Sequence, residues 1–164
     1  MLHPYSYKLE DGLYYTFTTK DGIVYHAYFL SVSAFYPELP NTFTFNIEPV
    51  DSYAQAKHSL DIRIQHTVVA ILQEFFKNNE NCMLMVCDSV DGKERKRRDM
   101  FNRWFENNKD ERIEKFDASL ESHDDACSYN MYVSLYICKN NPNKKQIVSA
   151  FNKLVLTDMY ELSL

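Results

Sequence analysis

Residues 82–108 read CMLMVCDSVDGKERKRRDMFNRWFENN, and the fold turns on how this stretch is read. Cys82 to Cys87 is an apolar run without alternation, the pattern of a strand covered on both faces. Asp91-Gly92 then turns the chain. Lys93 to Asn107 continues as a basic helix that closes on Phe101, Trp104 and Phe105. The remaining segments have to supply the sheet around that strand and the layers that cover it.

On a helical wheel centred on Phe101, Trp104 and Phe105 fall within about 60° of the inner face, as do Glu94 and Arg97. Arg98 lies on the flank. Arg95, Lys96, Asp99 and Arg103 point outward. Six basic residues (Lys93, Arg95, Lys96, Arg97, Arg98, Arg103) and two acidic ones (Glu94, Asp99) make this segment +4 in a chain of net charge −5. A guanidinium on the apolar stripe needs an acidic or carbonyl partner. For Arg97 the candidates are Asp88 at the strand end and Asp61. Cations at a helix start also oppose its dipole unless an anion sits there. Asp88, Asp91, Lys93, Arg97, Arg98 and Arg103 are therefore the candidate anion-binding or partner-binding set.

Upstream, Leu13 to Thr18 and Ile23 to Ser31 read as strands joined at Lys20-Asp21-Gly22, a hairpin in which Gly supplies positive φ. The first residues read as loose. Thr42 to Glu48 alternates cleanly, with Phe43, Phe45 and Ile47 on one side. From Leu60 to Asn78 the period becomes helical through Leu60, Ile64, Val68, Ile71, Leu72 and Phe75. Asp61 lies in its first turn, where the dipole favours an acid. Downstream, Ile113 to Leu120 is a weak strand and Tyr129 to Lys139 a strong one. Asn141-Pro142 opens a last helix as N-cap and N1, with Ile147, Val148, Phe151, Leu154 and Val155 as its stripe. The order β-β-β-α-β-α-β-β-α predicts an α+β fold, a mainly antiparallel sheet of about six strands with three helices packed on one face.

A chain of 164 residues fits one domain, 1–164. Three glycines are too few for a phosphate-cradling loop or a dinucleotide fingerprint. The acidic balance disfavours nucleic acid and anionic membranes as partners. No apolar run reaches the length of a membrane span. The start has no signal-peptide pattern, so Cys82, Cys87, Cys127 and Cys138 read as reduced thiols of a cytoplasmic protein. His3, His26, His58, His66 and His123 are scattered and form no metal motif. Asp88 and Asp91 are separated by two residues, not by the single one of the Asp-x-Asp-Gly of haloacid-dehalogenase phosphatases. No G-x-S-x-G occurs. No metal, cofactor or catalytic set is expected, and the reading leans away from an enzyme.

Aromatic residues are plentiful, with 12 Tyr and 11 Phe. Tyr14, Tyr25, Tyr132 and Tyr136 are expected to share the sheet face opposite the helices. Tyrosine suits an interface because its body is apolar and its tip polar.

Cys87-Asp88-Ser89, Asp91-Gly92-Lys93, Arg97, Phe101 and Trp104-Phe105 form a connected string, followed after Tyr132 by the Asn-Pro helix start. With the early Phe17-Thr18-Thr19-Lys20-Asp21-Gly22-Ile23-Val24-Tyr25, it resembles a family of short bacterial proteins of unknown function, common in Bacteroidetes. The resemblance implies no activity. Where the family pattern carries a second Arg two residues after the first, this chain has Asp99, with Arg98 beside it.

The residues support a non-enzymatic, cytoplasmic protein-binding module, antitoxin-like or immunity-like, whose partner is another protein or a second copy in a homodimer. The alternative is a small enzyme or nucleotide- or anion-binding domain centred on the strand-to-helix turn at 88–98.

Overall fold

Two glycine-bearing turns organise the first strands. The computed structural model describes residues 2–51, 61–88, 94–124 and 127–157. In chain order the elements are β1 (Tyr7–Asp11), β2 (Tyr14–Thr18), β3 (Val24–Ser31), β4 (Thr42–Pro49), α1 (Ile62–Phe75), β5 (Cys82–Asp88), α2 (Glu94–Asn107), β6 (Ile113–Asp124), β7 (Cys127–Cys138) and α3 (Lys144–Thr157). The class is α+β, with a mixed sheet of seven strands in the order β1-β2-β3-β4-β5-β7-β6. β4 and β5 run parallel. The β1–β2, β2–β3, β5–β7 and β6–β7 pairs are antiparallel.

The seventh strand is β1, in residues expected to be loose. Its partner is β2, reached through a two-residue loop: Asp11 pairs with Tyr14, and Gly12 takes φ +55° at the first loop position. A glycine there is what a primed hairpin turn requires. The next hairpin is the one expected. Thr19 accepts from the Gly22 N–H at 3.0 Å, and Gly22 has φ +79°.

The chain divides into two compact units, residues 1–30 with 45–78 and residues 31–44 with 79–164. In the first unit, one sheet face is aromatic and buried: Tyr15 and Phe17 on β2, Tyr25 and Phe29 on β3, Phe45 on β4. α1 brings Val68, Ile71 and Phe75 to the same core. Phe29 stacks on Phe75 with ring centroids 4.0 Å apart. Asp61 is the N-cap of α1. Its carboxylate accepts from the Arg63 N–H at 2.9 Å and from the Tyr5 hydroxyl at 2.6 Å. It therefore satisfies a helix-end donor. Tyr5 is also held by its own N–H, which donates to Thr67 Oγ1, and by the Arg63 guanidinium 3.9 Å above its ring.

In the second unit β5 is buried on both sides, as its unbroken apolar run requires. Cys82 and Leu84 join Met131, Val133, Leu135 and Ile137 of β7 in one core, closed by Ile147, Phe151 and Leu154 of α3. The other face of the same strands carries Met83, Met85, Cys87, Tyr132, Ser134 and Tyr136 by register. Phe105 of α2 lies on that face, edge-on to Tyr136 at 5.3 Å. α2 and α3 thus cover opposite faces of β7, not one face as expected. Both rows of β7 need cover, because the Tyr-Ser-Tyr row is itself buried or half-buried. Asn141 caps the entry to α3, its Oδ1 accepting from the Asn143 N–H at 2.8 Å.

Burial has a titration consequence. Removal from water pushes the Cys82 thiol from its ordinary 9.0 up to about 12, and burial also drives the Tyr136 hydroxyl well above the usual phenol range. A folded value raised above the unfolded one stabilises fully below the unfolded value and is lost as pH rises through the folded one. Stability should therefore fall as pH climbs above 9.0 toward about 12, measurable as a Tm that decreases steadily over that range. Cys82, Cys87 and Cys138 are buried thiols outside any disulfide. They should resist alkylation until the chain unfolds.

Candidate functional site

Among the described residues, two regions combine exposure with organised polar groups. The first is the β2–β3–β4 face turned away from α1. Register places Tyr14 opposite Tyr28 and Thr16 opposite His26. The Tyr14 and Tyr28 rings stack at 5.6 Å. The Tyr14 hydroxyl is hydrogen-bonded to His26 Nδ1, and the Tyr28 hydroxyl donates to Glu48 Oε1 at 3.4 Å. Beside them Leu30 is 55% exposed. Neighbouring Glu10 accepts from Thr16 and pairs with Lys8.

This face differs from the one expected. Tyr25 pairs with Phe17 and is buried under α1. Tyr136 is buried under Phe105, and Tyr132 carries the guanidinium of Arg98. Of the four tyrosines expected to share an open face, only Tyr14 lies on this one. Tyr28 and His26 join it. The signal for them was the hairpin register, since closing the Thr19–Ile23 loop puts Tyr28 opposite Tyr14 and Tyr25 opposite Phe17.

The second region is a crevice of about 310 Å³ beside α2, lined by Arg98, Asn102, Asp117, Ser119, Tyr132 and Ser134. Three rows build it. Arg98 and Asn102 are one helical turn apart on α2. Lys115, Asp117 and Ser119 alternate along one face of β6 and stand opposite Tyr136, Ser134 and Tyr132 of β7. Lys115 Nζ donates to Asn102 Oδ1 at 2.6 Å and to Asp117 Oδ2 at 3.0 Å. Asp117 Oδ1 accepts from the Ser134 hydroxyl at 2.5 Å. The Arg98 guanidinium stands 4.1 Å above the Tyr132 ring and bonds Asp99 Oδ1 from both Nε and Nη2. Desolvation lowers its pKa, but the contacts with Asp99 and with Tyr132 together outweigh that and hold it above the ordinary arginine value.

Of the expected basic set, Arg98 reaches the crevice. Arg103 is exposed on the outer side of α2 with Arg95 and Lys96, as the wheel placed them. Asp91 and Lys93, and the side chains of Asp88 and Arg97, lie outside the described residues. Lys115, Asp117, Ser119 and Asn102 were not singled out beforehand. For the three on β6 the signal was the alternation in IEKFDASL, where Phe116 and Ala118 face the core and the polar residues between them face away. Among the described residues no group of three His, Cys, Asp or Glu could hold a metal ion. None of the described helices is long and apolar enough to cross a membrane.

These elements define an α+β protein whose mixed sheet is flanked by helices. The chain belongs to a family of unknown function, DUF6169, whose model matches residues 60–153. That segment contains every residue lining the crevice and none of the Tyr14–His26–Tyr28 face. No curated protein and no solved structure matches the chain.

Proposed function

We propose that this chain is a non-enzymatic protein-binding module, of the antitoxin or immunity kind, working in the cytoplasm of a bacterium. Its docking surface would be the face carrying Tyr14, His26, Tyr28 and Leu30. The observation that carries this reading is the stacked tyrosine pair beside a leucine that is 55% exposed, on a sheet face turned away from α1. Stacked tyrosines lose little conformational entropy on binding and present both apolar area and hydroxyls. Glu48 and Glu10 at the edges of the patch, on a chain of net charge −5, favour a partner with basic residues.

Tyr28→Arg is the discriminating variant. A buried aromatic anchor is worth about 2 kcal/mol or more, a loss of about 30-fold in affinity. The tagged wild-type protein, purified from its native cells, should retain a stoichiometric partner. The Tyr28→Arg variant, folded by circular dichroism, should lose it. Equal retention by both would refute the proposed surface. Light scattering of the purified chain separates a foreign partner from a homodimer: a dimer that Tyr28→Arg dissociates would place a second copy on this face.

A further inference from the structure

We propose that the crevice between α2 and the β6–β7 hairpin binds a small oxyanion, a carboxylate or phosphate group, through Arg98, Asn102 and Ser119. The inference rests on which hydrogen-bonding groups there are already committed. Lys115 is a donor only, so the Asn102 atom 2.6 Å from its Nζ must be the oxygen. That fixes the amide. Its Nδ2 is directed away from Lys115 and makes no hydrogen bond among the described residues. Asp117 is occupied on both oxygens, by Lys115 and by Ser134. Arg98 spends Nε and one Nη2 hydrogen on Asp99 and also bonds the Tyr132 hydroxyl, so only part of its five-donor fork is open. The Ser119 hydroxyl also makes no hydrogen bond among the described residues.

Both carboxylate oxygens in the crevice are thus engaged, and the groups left over, the Asn102 amide N–H, part of the Arg98 fork and the Ser119 hydroxyl, can all donate. Its charge is also unlike the rest of the molecule. Arg98 and Lys115 against Asp117 and the Asp99 that bonds Arg98 leave the crevice neutral, in a chain of −5. The Lys115–Asp117 pair is internally neutral, so the positive charge that faces a ligand is that of Arg98. Its side chain is 34% exposed, and its contact with Tyr132 fixes where the guanidinium stands. The Asp99 carboxylate that bonds it is 59% exposed and in water's reach. An ion pair of that kind contributes little and leaves room for a second oxyanion. A bound group would accept from guanidinium, amide and hydroxyl together, the charge-assisted arrangement that favours carboxylate or phosphate over neutral ligands.

The test is a titration of the full chain, by heteronuclear NMR, with inorganic phosphate in one arm and acetate in the other. Saturable shifts of the Asn102 and Arg98 side-chain resonances are expected. Saturation by phosphate alone assigns a phosphorylated ligand, and saturation by acetate alone a carboxylate. Asn102→Asp keeps an oxygen toward Lys115 but replaces the uncommitted donor with an acceptor, and should weaken binding by about tenfold or more. Arg98→Met should do the same. Arg103→Gln, on the outer side of α2, should leave it unchanged. Both crevice positions are half-exposed, and circular dichroism checks that each variant is folded. No saturable shift with either anion would overturn the inference. So would binding that survives both Asn102→Asp and Arg98→Met.

Discussion

Phe29→Ala is expected to lower stability by about 3–5 kcal/mol, whereas Tyr28→Ala, one residue earlier on β3, should cost about 1 kcal/mol or less. The contrast follows from the period-two geometry of a strand. Phe29 is 7% exposed and stacks on Phe75 at 4.0 Å, with Phe45 and Tyr15 also against it. Truncation removes the ring and leaves a cavity that α1 cannot fill without moving. Tyr28 points to the other face, where it loses only its stack with Tyr14 and a long hydrogen bond to Glu48. Urea unfolding of the two variants, compared at equal m-value, measures the difference. Similar losses for both would mean that the open face is covered after all.

Leu135→Ala is expected to cost about 3–5 kcal/mol as well, for the same reason in the second unit. Leu135 has no exposure and lies between Leu84 of β5 and Phe116 of β6 in register. Ile147, Phe151 and Leu154 of α3 close the same core. Its neighbour Ser134 faces the crevice and bonds Asp117. Ser134→Ala removes that bond while leaving the core intact, so it should cost about 1 kcal/mol. Thermal unfolding separates the two: the leucine variant should fall by many degrees, the serine variant by few.

Much of this architecture could be read beforehand wherever one physical rule acted alone. Asp21-Gly22 placed the β2–β3 hairpin because only glycine accepts that φ cheaply. Asn141-Pro142 placed the start of α3 through capping. The unbroken run Cys82–Cys87 announced a strand buried on both sides. β1 escaped notice because an exposed edge strand needs no apolar alternation, although Asp11-Gly12 marked its turn. The faces were harder. Tyrosine and serine fit an open surface and a half-buried one equally well, so Tyr132, Ser134 and Tyr136 did not reveal that α2 covers them. Tyr25 was assigned to the wrong face because its side depends on pairing with Phe17, a property of two strands rather than one. The crevice depends on three elements meeting, and only the alternation of Lys115, Asp117 and Ser119 on β6 showed in the sequence. Arg98 stood in a run of cations, and its local pattern did not distinguish it from Arg95 or Arg103.

The central claim is that the Tyr14–Tyr28 face is where a partner protein docks. Hydroxyl-radical footprinting, read by mass spectrometry on the free chain and on the complex from native cells, tests it most directly. Tyr14, Tyr28 and Leu30 should be modified in the free chain and protected in the complex, with Phe29 silent in both. Undiminished labelling of Tyr14 and Tyr28 in the complex would contradict the claim.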